Sequence, residues 1–183
     1  MAKTVLFLAE GFEEIEALTV VDLLRRAGIE CVTASISGDA SVKGSHDITV
    51  MADTTLAKAP IDEADMLILP GGGLGTQNLK ACEPLADKLS AFDSAGKLLS
   101  AICAAPTVLG ELGLLKGRRA CCYPGCEDGL VGAEVSTDEV TVDGHITTSR
   151  GMGTAIPFGL AIIERFQGAQ AAADMAKKIV YRA

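Results

Sequence analysis

Histidine and large aromatic side chains are scarce in this 183-residue sequence, which has two His, five Phe, two Tyr and no Trp. So few rings argue against a surface that stacks the bases of single-stranded nucleic acid. Positive charge is also short, with 16 Lys+Arg against 24 Asp+Glu and a net charge of −8 at pH 7. A protein that coats nucleic acid or an anionic membrane presents a basic face. Here the basic spots (Lys116, Arg118 and Arg119; Lys177 and Lys178) stay isolated, so neither partner is expected.

Long hydrophobic runs are missing as well. The uncharged stretches between Lys97 and Glu111 and between Arg150 and Glu164 fall short of the ~20 residues that span a bilayer. The apolar run Val5 to Ala9 is shorter than the ~7–15 residues of a secretory core segment. The expected location is the cytoplasm, where thiols stay reduced, so the six cysteines are expected as six thiols. Scarce histidine limits the chemistry further. Most Cys or Ser hydrolases and most zinc sites need a placed imidazole, and His46 and His145 are the candidates. Cys121-Cys122-x3-Cys126 offers three local thiols where tetrahedral zinc wants four ligands, so no metal or other cofactor is expected.

What is present is a core. At 49% hydrophobic residues the chain can bury one without staples, and its length fits a single domain over residues 1–183. Thr4 to Ala9 reads as a strand buried on both faces, Met66 to Leu69 as a core strand and Leu98 to Ile102 as a further strand. Glu13 to Ala27 reads as a helix with Ile15, Leu18, Val21 and Leu24 on its apolar stripe and Gly28 as its stop. Glu30 to Ser37 alternates like a strand, and Val42 to Met51 like a small hairpin extension. Helices are expected at Glu83 to Ala95, from Pro106 to Leu112, and over Thr154 to Phe166 and Ala169 to Val180. Val140 to Ser149 is a β segment turned at Asp143-Gly144. Such alternation predicts a doubly wound, three-layer α/β sandwich around a mostly parallel sheet, whose ligands sit outside the carboxyl ends of the strands.

Three strand ends carry the chemistry. Ser100-Ala-Ile-Cys103-Ala-Ala-Pro106 sets a cysteine in a strand-to-helix turn like a nucleophile elbow, although Ala101 and Ala105 replace the usual glycines. There the helix dipole should favour a thiolate; the alternative is a small buried hydrophobe. Pro70-Gly-Gly-Gly73-Leu-Gly75 matches no dinucleotide or NTP loop, and is either a sharp turn or a source of backbone N–H groups for an oxyanion. Glu10-Gly-Phe-Glu13-Glu14-Ile-Glu16 is either an acidic first turn that suits the helix dipole or a source of one desolvated carboxyl, Glu16, aimed at the rim.

Together these stretches, with VVDLLRRAGI and TTSRGMGTAIPFGLAII, resemble the ThiJ/PfpI superfamily, the DJ-1-like proteins with a class I glutamine-amidotransferase-like fold. The matching segments run in order from residue 9 to residue 163. The resemblance implies that Cys103 is the reactive cysteine and that Glu16 is the acid hydrogen-bonded to its sulfur. It also implies that the backbone N–H groups of Gly72 and Ala104 are oxyanion-type donors. It implies a homodimer built on the first helix, and places Arg150 on a loop near the site. The sequence departs from the family where Tyr123-Pro124 stands in place of a His-Pro step, and where His46 stands in place of an arginine of an anion pocket. Tyr123, His46 and Arg150 are therefore candidate pocket residues, and Cys126 is a candidate resolving thiol. His145, after the hairpin turn, is expected at the surface.

By resemblance the activity is a cofactor-free glyoxalase or deglycase, turning methylglyoxal into lactate or removing early glyoxal adducts. A peroxide-responsive sensor or chaperone-like dimer is the alternative. A PfpI-type cysteine amidase or peptidase ranks third, since no histidine adjoins the cysteine.

Overall fold

The computed structural model describes residues 1–182. Seven strands form the central sheet, in the order β10 (Val140–Asp143), β11 (Ile146–Ser149), β7 (Leu98–Ile102), β6 (Met66–Leu69), β1 (Lys3–Leu8), β2 (Glu30–Ser35) and β5 (Thr54–Thr55). The five that build the middle are β1, β2, β6, β7 and β11. Their mutual pairings are all parallel, whereas β10 closes one edge antiparallel to β11 across the expected Asp143-Gly144 turn. The other edge is the two-residue β5, too short for the sequence pattern to reveal. The hairpin extension is β3 (Ser41–Lys43) with β4 (Thr49–Met51), antiparallel as expected. Arg119–Ala120 (β8) and Glu134–Val135 (β9) add a small parallel pair.

Side-chain alternation along β1 divides the core into two layers. Val5, Phe7 and Ala9 face a cluster with Leu79 of α2 (Gly73–Lys80), Leu85 and Leu89 of α3 (Glu83–Ser94), and Leu109 of α4 (Pro106–Glu111). Leu6 and Leu8 face the opposite cluster, with Val20 and Leu24 of α1 (Glu14–Arg26), Ile162 and Ile163 of α5 (Ala155–Gln167), and Met175 of α6 (Ala169–Lys178). The fold is therefore a three-layer α/β sandwich. No helix among the described residues is long and apolar enough to cross a membrane.

Two details differ from the sequence pattern. α2 was not legible, because Gly-Leu-Gly-Thr has low helix propensity; it forms where the Gly75 and Thr76 N–H groups find the carbonyls of Gly11 and Gly72. On α1 the buried face is Glu14, Glu16, Ala17, Val20, Val21, Leu23 and Leu24, while Ile15 and Leu18 are exposed. The first turn of α1 lies over the strand rim, so its inward positions hold carboxylates rather than the expected apolar stripe.

Candidate functional site

The chain runs from β1 through β2 to one edge, then returns to lay β6 on the other side of β1. This reversal opens a crevice at the carboxyl ends of β1, β6 and β7, where doubly wound folds place their ligands. Each strand delivers one component: Glu16 on the helix after β1, Gly71 and Gly72 after β6, and Cys103 after β7.

Cys103 has φ +65°, the left-handed region that non-glycine residues seldom enter. Such strain costs on the order of 1–3 kcal/mol and persists only when its surroundings hold it. The restraints are visible: the Cys103 N–H donates to the Ser149 carbonyl (3.0 Å), and the Cys103 carbonyl accepts from the Tyr123 N–H (2.7 Å). The turn is thus a true elbow, with alanines where glycines were expected.

Glu16 is only 1% exposed. Its Oε2 accepts a hydrogen bond from the Gly71 N–H at 2.9 Å, and its carboxyl stands close enough to the Cys103 thiol for each to shift the other's ionisation. Its Oε1 is buried with no hydrogen-bond partner. The carboxyl can come this close because residue 71 lacks a side chain. A Cβ there would stand 2.6 Å from both Cys103 Cβ and Glu16 Oε2, and 3.0 Å from the Ile102 carbonyl. Glu13 fixes the helix start: its side chain accepts from the Glu16 N–H at 2.8 Å, and its N–H donates to the Gly71 carbonyl at 3.0 Å.

Ionisation of the two groups is coupled. Burial is the main influence on Glu16; the hydrogen bonds from Cys103 and the Gly71 N–H oppose it, and the carboxyl rests at about 7. Burial is likewise the largest influence on Cys103, followed by the charge and hydrogen bond of Glu16, and together they push the thiol up to about 12. The N–H groups of Ala104 and Gly72 act the other way, by favouring the thiolate. This corrects the expectation of a thiol lowered by the helix dipole: desolvation and the neighbouring carboxylate outweigh it. Two anions cannot share this site, so between about pH 7 and 12 the pair carries one proton and one charge.

Tyr123 and Arg150 line one cavity of about 520 Å³, with Pro124, Glu139, Met152 and Thr154. His46 does not join it. Its N–H donates to Glu14 Oε1 (2.7 Å) and its ring Nδ1 lies 3.0 Å from Glu14 Oε2, on the exposed β3–β4 hairpin. Burial opposes the Glu14 charge, but the His46 backbone and ring, with Ser45, outweigh it and hold that carboxyl at about 2. Glu13, Glu14 and His46 bring ligand-type atoms within 4.8 Å of one another, a closeness this ion pair already explains. Cys126 packs against the core layer opposite to that of Cys103 and lines a second cavity with Ala104 and Gly73, which does not favour the resolving role. His145 is not a free surface residue; its Nε2 sits 2.7 Å from Asp93 Oδ1 and its side chain is 17% exposed.

Gly71 and Gly151 were not singled out by the sequence pattern, although each is flanked by other site residues; a Cβ on Gly151 would stand 3.3 Å from the Tyr123 ring.

A family model described as the DJ-1/PfpI family matches residues 2–165. The chain is 39% identical to Protein dj-1beta of Drosophila melanogaster over 98% of each sequence. It is 31% identical to a glutathione-independent glyoxalase of Caenorhabditis elegans, covering 96% of this chain and 94% of that protein. The structure of oxidised Toxoplasma gondii DJ-1 superposes with a TM-score of 0.96 at 34% identity, over 100% of both chains. An elbow cysteine beside a buried glutamate, on this topology and in a sequence this similar, has one reading: the chain belongs to the DJ-1/PfpI family.

Proposed function

We propose that the protein is a cofactor-independent glyoxalase or deglycase acting on small reactive carbonyls, with Cys103 as nucleophile and Glu16 as proton carrier. The observation that carries this reading is the placement of a 1% exposed Glu16 carboxyl, held by the Gly71 N–H at 2.9 Å, beside the left-handed elbow at Cys103. The Cys103 thiolate adds to the aldehyde carbon of methylglyoxal, and the new alkoxide takes the Glu16 proton, giving a hemithioacetal and a carboxylate. Glu16 then removes the hydrogen from that carbon and returns a proton to the neighbouring carbonyl carbon, while the hemithioacetal hydroxyl proton passes to the former ketone oxygen, leaving a lactoyl thioester. Water cleaves the thioester and releases lactate and the thiol, so the sum is methylglyoxal plus water to lactic acid. The Gly72 and Ala104 N–H groups stabilise first the thiolate and then the developing oxyanion. Proton NMR of methylglyoxal incubated with the protein tests the reading: lactate accumulates with the wild type, and a rate equal to that of Cys103→Ala ends it.

The same cradle favours a second reading, a peroxide sensor. Two equivalents of peroxide convert the thiolate to a sulfinate and two waters, and a neutral Glu16 carboxyl with two N–H donors suits the product. Mass spectrometry after mild peroxide then finds Cys103 oxidised ahead of the other five cysteines; uniform oxidation rejects this reading. The six thiols are all free, which suits a reducing compartment such as the cytoplasm. The protein acts as a homodimer through α1, where Ile15 (50% exposed) and Leu18 (39%) present apolar surface. Leu18→Glu converts it to a species of one chain's mass in sedimentation, and an unchanged mass contradicts that interface.

A further inference from the structure

The cavity beside the site is larger than methylglyoxal requires, and its polar lining is unevenly paired. Methylglyoxal has five heavy atoms, while volumes of ~300–1,000 Å³ hold drug-sized ligands. The cavity here is about 520 Å³. Of its two charged-residue types, the Glu139 carboxylate is already engaged by the Arg182 guanidinium at 2.8 and 3.2 Å. The Arg150 guanidinium pairs with no carboxylate among the described residues; its one hydrogen bond is a long one, 3.4 Å, to the Thr137 carbonyl. With Glu139 neutralised from outside the lining by Arg182, Arg150 is the charge that the cavity leaves unpaired, in a chain whose net charge is −8.

The cavity adjoins the reactive pair through Gly151. A Cβ at residue 151 would stand 3.3 Å from the Tyr123 ring and 4.0 Å from Glu16 Oε1, the buried oxygen without a partner. Tyr123 is in turn bonded through its N–H to the Cys103 carbonyl. Tyr123 and Gly151, which line the cavity with Arg150, are thus also the residues that border the reactive pair.

Resting on the carbonyl reading above, we infer that Arg150 is a specificity-determining residue, and that the preferred substrates are α-oxoaldehydes carrying a carboxylate a few bonds from the ketone. A guanidinium takes a carboxylate through two parallel N–H···O bonds, which adds orientation as well as attraction. The chemistry is that of methylglyoxal: the aldehyde carbon is oxidised to the acid, the ketone carbon is reduced to the alcohol, and one water is consumed. With 4,5-dioxopentanoate as the probe, the product is 2-hydroxyglutarate.

The test compares 4,5-dioxopentanoate with its methyl ester, which has the same reacting carbons and no charge. The wild type should favour the acid over the ester by about tenfold or more in kcat/KM, mainly through KM. In Arg150→Gln that ratio should fall to about one, and Arg150→Lys should recover part of it. Binding of 2-hydroxyglutarate to Cys103→Ala protein, with and without Arg150→Gln, adds a readout that needs no turnover. Turnover of both probes with no preference for the acid overturns the role of Arg150 and leaves the glyoxalase reading standing. Absence of turnover with Arg150-dependent binding of 2-hydroxyglutarate rejects the glyoxalase reading and upholds the carboxylate site. Binding indifferent to Arg150 overturns the inference.

Discussion

Glu16→Gln should lower lactate formation from methylglyoxal by ~10²–10⁴-fold while making the protein more stable at pH 8. The first effect follows from the proton carried between carbons. A glutamine keeps the shape and the hydrogen bond from the Gly71 N–H, but it neither takes nor returns a proton. The second effect follows from linkage. Glu16 holds its proton to about 7 in the folded protein, against 4.5 for the free side chain. The native state thus binds more protons than the unfolded state across that window. The associated stability is complete below 4.5 and is lost as the pH rises through about 7. The buried charge then costs about 3 kcal/mol at pH 8, which the amide avoids. Urea denaturation should show Glu16→Gln to be more stable than wild type by that order at pH 8, and the gap should close near pH 4.5. Equal stability at pH 8 would mean that the carboxyl is not ionising in a buried setting.

The second large effect belongs to a residue with no side chain. Gly71→Ala places a methyl group 2.6 Å from both Cys103 Cβ and Glu16 Oε2, closer than real carbons approach. The near atoms have little room to yield: one is at the head of the strained elbow, another is a backbone carbonyl, and the third is the carboxyl oxygen itself. Gly71 has no positive φ, so the penalty is steric and local. Overpacking of this kind costs ~1–3 kcal/mol. A shift of about 1 Å between nucleophile and proton carrier costs ~10²-fold in rate. Both losses should appear together in thermal melts and lactate assays. Gly38→Ala, at a glycine with no atom within 4 Å of the added carbon and no positive φ, is the control that should change neither. Full activity in Gly71→Ala would show that the pair does not need its observed spacing.

Much of this frame was legible in the sequence. β1, β6 and β7 stand out as short apolar runs, and their ends carry the three site segments. Cys103 was legible because an elbow needs a small-residue turn between a strand and a Pro-led helix. Other features resisted for identifiable reasons. The face of α1 was misjudged because the pattern counts apolar residues, whereas the inward turn holds Glu14 and Glu16, stabilised by partners far along the chain at His46 and Gly71. The ionisation of Cys103 was misjudged because a helix dipole is a local property, while burial and a carboxylate from residue 16 are tertiary ones. Gly71 and Gly151 were passed over because their role is empty space, which becomes visible once the neighbouring atoms are placed. His145 was assigned to the surface by its turn, yet Asp93 of α3 reaches it.

Titration of Cys103 and Glu16 as one unit is tested most directly by the pH profile of Cys103 alkylation by iodoacetamide, followed by mass spectrometry. The wild type should show a rise centred near pH 7, where the pair loses its first proton, and Glu16→Gln should lose that step, its buried thiol reacting only at higher pH. A single rise at the pH of an ordinary thiol, identical in wild type and Glu16→Gln, would contradict it.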